Sequence, residues 1–218
     1  SLLPMFEAEA AGLEEIRQSH CIRVPEPVCC GRYDGDSFLV LEHIPMSGGG
    51  DMGLAGRQLA LMHRQFGDSF GWSRDNTIGS THQPNDRSGD WVEFWQRQRL
   101  GHQLKLADEL GHGGRLQESG SRLLQLLPEL LGHQPRPSLL HGDLWGGNIA
   151  FDADRQPVIF DPAVYYGDRE ADLAMTELFG GFSREFYTAY NEVWPLDPGY
   201  AERRELYNLY HILNHLNI

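Results

Sequence analysis

Leu140-His141-Gly142-Asp143-Leu144-Trp145-Gly146-Gly147-Asn148, followed after a short gap by Val158-Ile159-Phe160-Asp161, is the stretch on which the reading of this chain turns. It sets an Asp, an Asn five residues later, and a second Asp beyond a short hydrophobic strand. The order H-x-D-L-x-x-x-N with a later Asp is the catalytic-loop pattern of phosphotransferases. Phosphoryl transfer needs one carboxylate beside the acceptor hydroxyl and further oxygens to hold Mg²⁺ against nucleotide phosphates. Asp143 fits the first role, and Asn148 and Asp161 fit the second. Asn148 offers a neutral oxygen, so the charge compensation falls to Asp161 and the phosphates. Gly146 and Gly147 are expected to give a tight turn that returns Asn148 to the metal. An ordinary aspartate is ionised near pH 7, so Asp143 can orient the hydroxyl and accept its proton.

Composition bounds the rest. The chain has 218 residues, with a hydrophobic share of 40% and an aromatic share of 11%, enough for a folded core of one or two domains. A net charge of −13 argues against binding a nucleic-acid backbone. No run of about eighteen apolar residues is present, so a membrane span is not expected. Ser1 to Glu7 lacks the basic start and small-residue cleavage site of a secretory signal. The three cysteines, Cys21, Cys29 and Cys30, form neither an even framework nor a CxxC pair. A reducing cytoplasm is therefore the expected setting, with Cys29-Cys30 in a buried strand.

Periodicity divides the chain near residue 46. Met5 to Gln18 has a helical pattern, with Phe6, Ala10, Leu13 and Ile16 apolar among acids. Strands are expected at 28–32 and 38–42, joined by Asp34-Gly35-Asp36. Pro45 to Asp51, with three glycines in a row, reads as a flexible connector, giving regions 1–46 and 47–218. Helical spacing then dominates 54–66, 91–110, 115–131, 170–178, 183–190 and 200–216. The polar segment from Gly71 to Asp90 reads as a long loop with a binding role. The fold expected is α+β and kinase-like in two lobes, the second mostly helical, and the first reduced to one helix and two strands. No Gly-rich phosphate loop and no strand lysine are found ahead of the first helix, and Lys105 is the only lysine. Truncation of the first lobe is thus expected, and with it a catalytically impaired polypeptide.

The chain resembles the fructosamine kinase (ketosamine-3-kinase) family, relatives of aminoglycoside phosphotransferases and choline kinases. The resemblance is carried by Met5-Phe6-Glu7-Ala8-Glu9-Ala10, Leu39-Val40-Leu41-Glu42-His43, and Phe70-Gly71-Trp72 through Asp75-Asn76-Thr77-Ile78-Gly79. It continues in Asp90-Trp91 through Leu100, His141 through Asn148, Phe160-Asp161-Pro162-Ala163, Tyr166 through Glu170, Phe179-Gly180-Gly181-Phe182 and Leu213-Asn214-His215. Trp145 with its two glycines points away from a general aminoglycoside or choline-type kinase. A non-catalytic pseudokinase is the alternative of another class.

The resemblance implies an ATP- and Mg²⁺-dependent transfer to the 3-hydroxyl of a ketosamine, on a small amine or a glycated protein lysine. Phosphorylation there makes the adduct fall apart, so such enzymes reverse glycation. By position, Asp143 is the catalytic base and Asn148 and Asp161 the metal ligands. Glu9 is the helix glutamate that pairs the strand lysine, and Glu42, His43 and Ile44 form the adenine hinge. Pro162-Ala163 after Asp161 implies that the in/out switching of protein kinases is missing.

Other residues are weighed on their own chemistry. Trp145 can stack on a sugar face or plug the lobe, while Trp72, Trp91 and Trp95 read as core. His141 is expected to order the catalytic loop, since no second His or Cys stands at ligand spacing. Asp168 reads as a helix-start acid and Asp172 as a buried acid bonded to loop backbone. His211, Asn214 and His215 share one helical face, and His211 and His215 are assigned to the acceptor pocket.

Overall fold

The computed structural model describes residues 2–218. The first helix, α1 (Leu3–Gln18), carries Pro4 in its first turn, where a missing N–H costs nothing, and buries Ala8, Gly12, Leu13 and Ile16. Beside it lies an antiparallel hairpin of β1 (Pro27–Tyr33) and β2 (Asp36–Leu41), turning at Asp34-Gly35. Cys29 is exposed and Cys30 only half-buried, so the expected buried strand is corrected. The reason is that α1 covers one face of this two-stranded sheet and leaves Val28, Tyr33 and Val40 exposed on it. All three cysteines are free thiols.

The segment read as a flexible connector holds a two-residue strand, β3 (Met46–Ser47), which pairs with Phe151 and Asp152. Arg23 reaches the same region, bridging Glu42 at 2.9 Å and Asp152 at 2.6 Å. Asp51 then caps α2 (Met52–His63) by accepting from the Leu54 amide at 2.8 Å. The segment 71–90 is not a plain loop. It contains a hairpin of β4 (Asn76–Ile78) and β5 (Thr81–Gln83), whose polar Asn76 and Gln83 are buried.

The expected helix over 91–110 is interrupted. Asp90 caps α3 (Trp91–Phe94), a π-helical stretch runs over Trp95–Leu100, and α4 (Gly101–Glu109) completes it. π-helical turns tend to accompany functional geometry, and this one buries Arg99 completely. Next come α5 (Arg115–Leu130), β6 (Ser138–Leu140), the hairpin of β7 (Ile149–Asp152) and β8 (Pro157–Ile159), and β9 (Tyr165–Gly167), which pairs with β6. The chain ends in α6 (Arg169–Leu178), α7 (Arg184–Val193) and α8 (Tyr200–Asn217). The core is aromatic where these helices meet: Trp95, Tyr190, Tyr207 and Tyr210 are almost wholly buried. No helix is long and apolar enough to cross a membrane.

Candidate active site

Strand β6 delivers the chain to His141, and the loop from there to Asn148 is fixed by one buried acid. Asp172, on α6, accepts from the amides of His141 at 2.7 Å and Gly142 at 2.8 Å. Gly142 has φ of +84°, and a Cβ there would stand 2.1 Å from the Ala163 carbonyl oxygen, so glycine is required twice over. His141 is fully buried and faces Phe160 O at 2.9 Å, while the Asp143 amide approaches its Nδ1 at 3.3 Å. Burial holds its pKa below the usual histidine value, and a neutral ring with one donor and one acceptor satisfies both contacts.

Asp172 has a further partner that the sequence did not signal. His63, at the end of α2, meets it at 3.1 Å and takes Tyr190 Oη at 2.8 Å on its other nitrogen. Burial pushes Asp172 up, yet hydrogen bonds from His63 and the Gly142 amide outweigh that, and the carboxyl stays below its usual range. Burial also lowers the pKa of His63 below the usual histidine value.

The loop thus aims three groups at one cleft. Asn148 turns back through its amide to Trp145 O at 2.9 Å, and its Nδ2 donates to Asp143 O at 2.8 Å. That orientation leaves the Asn148 side-chain oxygen, Oδ1, without a hydrogen bond among the described residues, while its main-chain oxygen accepts from Phe160 N at 3.1 Å. Asp161 sits in the left-handed region, φ +54°, a strained conformation for a residue other than glycine. Glu9 of α1 faces them across a cavity of about 380 Å³, which Asn76, Asp143, Trp145, Asn148 and Asp161 also line. No lysine or arginine is among its lining residues, and Lys105 is exposed on α4 beside Glu109. Glu9 is accordingly raised, by burial and then by the Asp161 charge. Asp143 is pushed up to about 6, first by burial, with His215 and Asn148 opposing and the Asp172 and Asp161 charges adding to the rise.

A second cavity of about 310 Å³ adjoins the first at Gly79, Asp143 and Trp145. Ile78, Met175 and Phe179 give it apolar walls, and His211 and His215 reach it from α8. His211 is buried, its Nδ1 4.0 Å from Asp143 Oδ1, and burial drives its pKa down to about 3. His215 is exposed at the rim, its Nδ1 bonded to His211 O at 2.9 Å and its ring 5.0 Å from Phe179. Trp145 stands edge-on to Phe179 at 6.1 Å and is 39% exposed, too open for a lobe plug. Gly147 has no left-handed φ; its importance is steric, since a Cβ would lie 2.3 Å from the Trp145 ring.

Of the predicted residues, Glu9, Asp143, Trp145, Asn148, Asp161, His211 and His215 therefore converge on these two cavities. Glu42, His43 and Ile44 line neither. The Glu42 carboxylate pairs with Arg23 and its amide with Glu26 O at 2.8 Å, whereas the main chain of His43 and Ile44 has no hydrogen-bond partner among the described residues. Asp168 caps α6 through the Glu170 amide at 3.1 Å and takes bonds from His133 and Tyr207. Besides His63, sequence reasoning missed the network under the β4–β5 hairpin. Arg99 donates to Asn85 Oδ1 at 2.7 Å, Asn85 and Gln83 donate to Asn76 Oδ1, and Asn76 donates to Val164 O. Tyr210, the neighbour of His211, donates to Gln83 at 2.6 Å.

The sequence profile of the family described as fructosamine kinase matches residues 1–218. The chain belongs to the fructosamine kinase family. It is 48% identical over 218 residues to a "Probable ketoamine kinase" of Synechocystis, covering 98% of this chain and 73% of that protein. It is 46% identical over 219 residues to the chloroplastic protein-ribulosamine 3-kinase of Arabidopsis thaliana, covering 98% and 67%. A solved structure described as a candidate fructosamine-3-kinase from Haemophilus somnus superposes with a TM-score of 0.92 at 35% identity, covering 99% of this chain and 73% of that one. At the level of fold alone, an aminoglycoside phosphotransferase from Streptomyces rimosus superposes at 0.54 with 18% identity, covering 100% and 84%. The fold of this family member is accordingly α+β and kinase-like.

Proposed function

We propose that this chain transfers the γ-phosphoryl group of ATP to the sugar 3-hydroxyl of a ketosamine, free or on a glycated protein lysine. The observation that carries the reading is the position of Asp143. It stands where an acid-lined cleft, suited to metal and phosphates, meets a pocket with apolar walls and histidines. Family relatives named ketoamine kinase and ribulosamine 3-kinase support the choice of acceptor.

Asp143, raised but still mostly ionised near pH 7, orients the acceptor hydroxyl and takes its proton as the new O–P bond forms and the bond from phosphorus to the departing ADP breaks. Asp172, held by His63, sets the loop that positions it. The donor set fits Mg²⁺, because Glu9 and Asp161 repel one another with no basic residue in the lining and Asn148 keeps its side-chain oxygen, Oδ1, free. Asn148 and Asp161 would hold the ion, which supplies charge neutralisation for the phosphates. His43 and Ile44 offer unpaired main-chain groups for adenine. Trp145 presents its ring to the sugar, and His211 and His215 line the acceptor side. The free thiols suit a reducing compartment, which we take to be cytoplasmic.

The natural protein should consume ATP with a fructosyl- or ribulosyl-amine, and Asp143→Asn should abolish this. Turnover only with choline or an aminoglycoside, or no turnover at all, would overturn the proposal.

A further inference from the structure

His211 is a buried side chain whose ring nitrogens open onto a cavity and have no partner among the described residues. Its side chain is 5% exposed, it lines the acceptor cavity, and neither ring nitrogen has a hydrogen-bond partner among the described residues. Its main-chain oxygen is used by His215, but the ring is not. Polar groups at buried positions are almost always paired, and the open side of this ring is the cavity. The carboxylate of Asp143 stands 4.0 Å away, too long for a hydrogen bond. Nor does charge hold the pair together, because burial keeps the imidazole neutral. A neutral imidazole offers one donor and one acceptor.

Its polar neighbours are partly committed. Asn214 gives its side-chain oxygen to Gln103 at 3.3 Å, and His215 uses Nδ1 on main chain. Ile78, Met175 and Phe179 supply only apolar surface. A hydroxyl delivered to Asp143 brings the next carbon's oxygen beside His211, the buried ring whose Nδ1 stands 4.0 Å from that carboxylate.

We propose that His211 hydrogen-bonds an oxygen on a carbon next to the one phosphorylated, so that the site selects acceptors whose reacting hydroxyl is flanked by a second oxygen. This rests on the ketosamine reading and adds a requirement to it. In a ketosamine phosphorylated at C3, the flanking oxygen is that on C2 or C4. An acceptor such as choline, with no such oxygen, makes no use of His211.

The test is a two-by-two kinetic comparison. A small fructosyl-amine and its analogues lacking the oxygen at C2 or at C4 are assayed with the natural protein and with His211→Phe. In the natural protein one analogue should lose about tenfold or more in kcat/KM, from a missing hydrogen bond to a buried partner. In His211→Phe the parent should fall to the level of that analogue and the difference between them vanish, with KM for ATP unchanged. A merely structural histidine would leave the difference in place. His211→Asn, which keeps hydrogen-bonding capacity, should recover part of it. If both analogues match the parent in the natural protein, or the penalty persists in His211→Phe, the role of His211 is overturned while the ketosamine reading stands. If His211→Phe does not fold, the analogue comparison in the natural protein and in His211→Asn decides. No turnover of any ketosamine overturns both.

Discussion

The carboxylate proposed as catalytic base should cost the fold stability, and the size of the cost follows from its surroundings. Asp143 rises from an ordinary 3.8 to about 6, chiefly through burial. A group that binds its proton more tightly when folded loses stability as pH climbs from the unfolded to the folded value. At 1.36 kcal/mol per pH unit, the interval amounts to about 3 kcal/mol, complete near pH 7 and absent below about pH 4. The side chain keeps 23% of its exposure, so we take about 2–3 kcal/mol as the working range. Asp143→Asn removes the charge and keeps the shape. It should raise Tm at pH 8 by roughly 4–12 °C, at about 2–4 °C per kcal/mol for a chain of this size. Differential scanning calorimetry at several pH values between about 4 and 8 would show the gap between variant and parent opening as pH rises. The same substitution should cost activity about 10²-fold or more. A variant no more stable than the parent at pH 8, or a gap that ignores pH, would refute the reasoning.

Two other perturbations test the supporting shell, and a third the base itself. His63→Leu takes one buried hydrogen bond each from Asp172 and Tyr190 and should cost about 1–3 kcal/mol in chemical denaturation, with kcat falling more than KM for ATP. Gly147→Ala places a methyl where the Trp145 ring lies, so the acceptor KM should rise and tryptophan fluorescence shift while KM for ATP holds. The kcat/KM of the natural protein for its acceptor should climb with pH through about 6, as Asp143 ionises; a limb near 4 would mean that burial does not raise it.

The convergence of Asp143, Asn148 and Asp161 on one cavity was legible because it is built locally. His141, Gly142, Asp143 and Asn148 are neighbours in sequence, and a short hairpin returns Asp161 to them. Helix starts were legible for a similar reason. Asp168 announces α6 by capping it, and the apolar spacing of Leu13 and Ile16 announces the buried face of α1. Cys29-Cys30 misled because adjacent small apolar residues say nothing about how many faces of their sheet are covered. The β4–β5 hairpin was illegible because strands of three residues, polar in composition, carry no period to read.

The deeper omission concerns side chains whose burial depends on partners far along the chain. Asn76, Gln83, Asn85 and Arg99 look like surface residues, yet each is buried because the others satisfy it. Arg99 is the extreme case. No carboxylate pairs with it among the described residues; carbonyl oxygens, an Asn side chain and the faces of Phe94 and Tyr165 surround it instead. Placing a cation there is expensive, and a well-packed apolar cluster would be more stable. What the arrangement achieves is geometric. It ties the hairpin that walls both cavities to Ala163 and Val164, just past Asp161, and through Tyr210 to the helix that carries His211. The residues proposed for the metal and for the acceptor therefore share one support, and Asp143, which lines both cavities, sits where they meet.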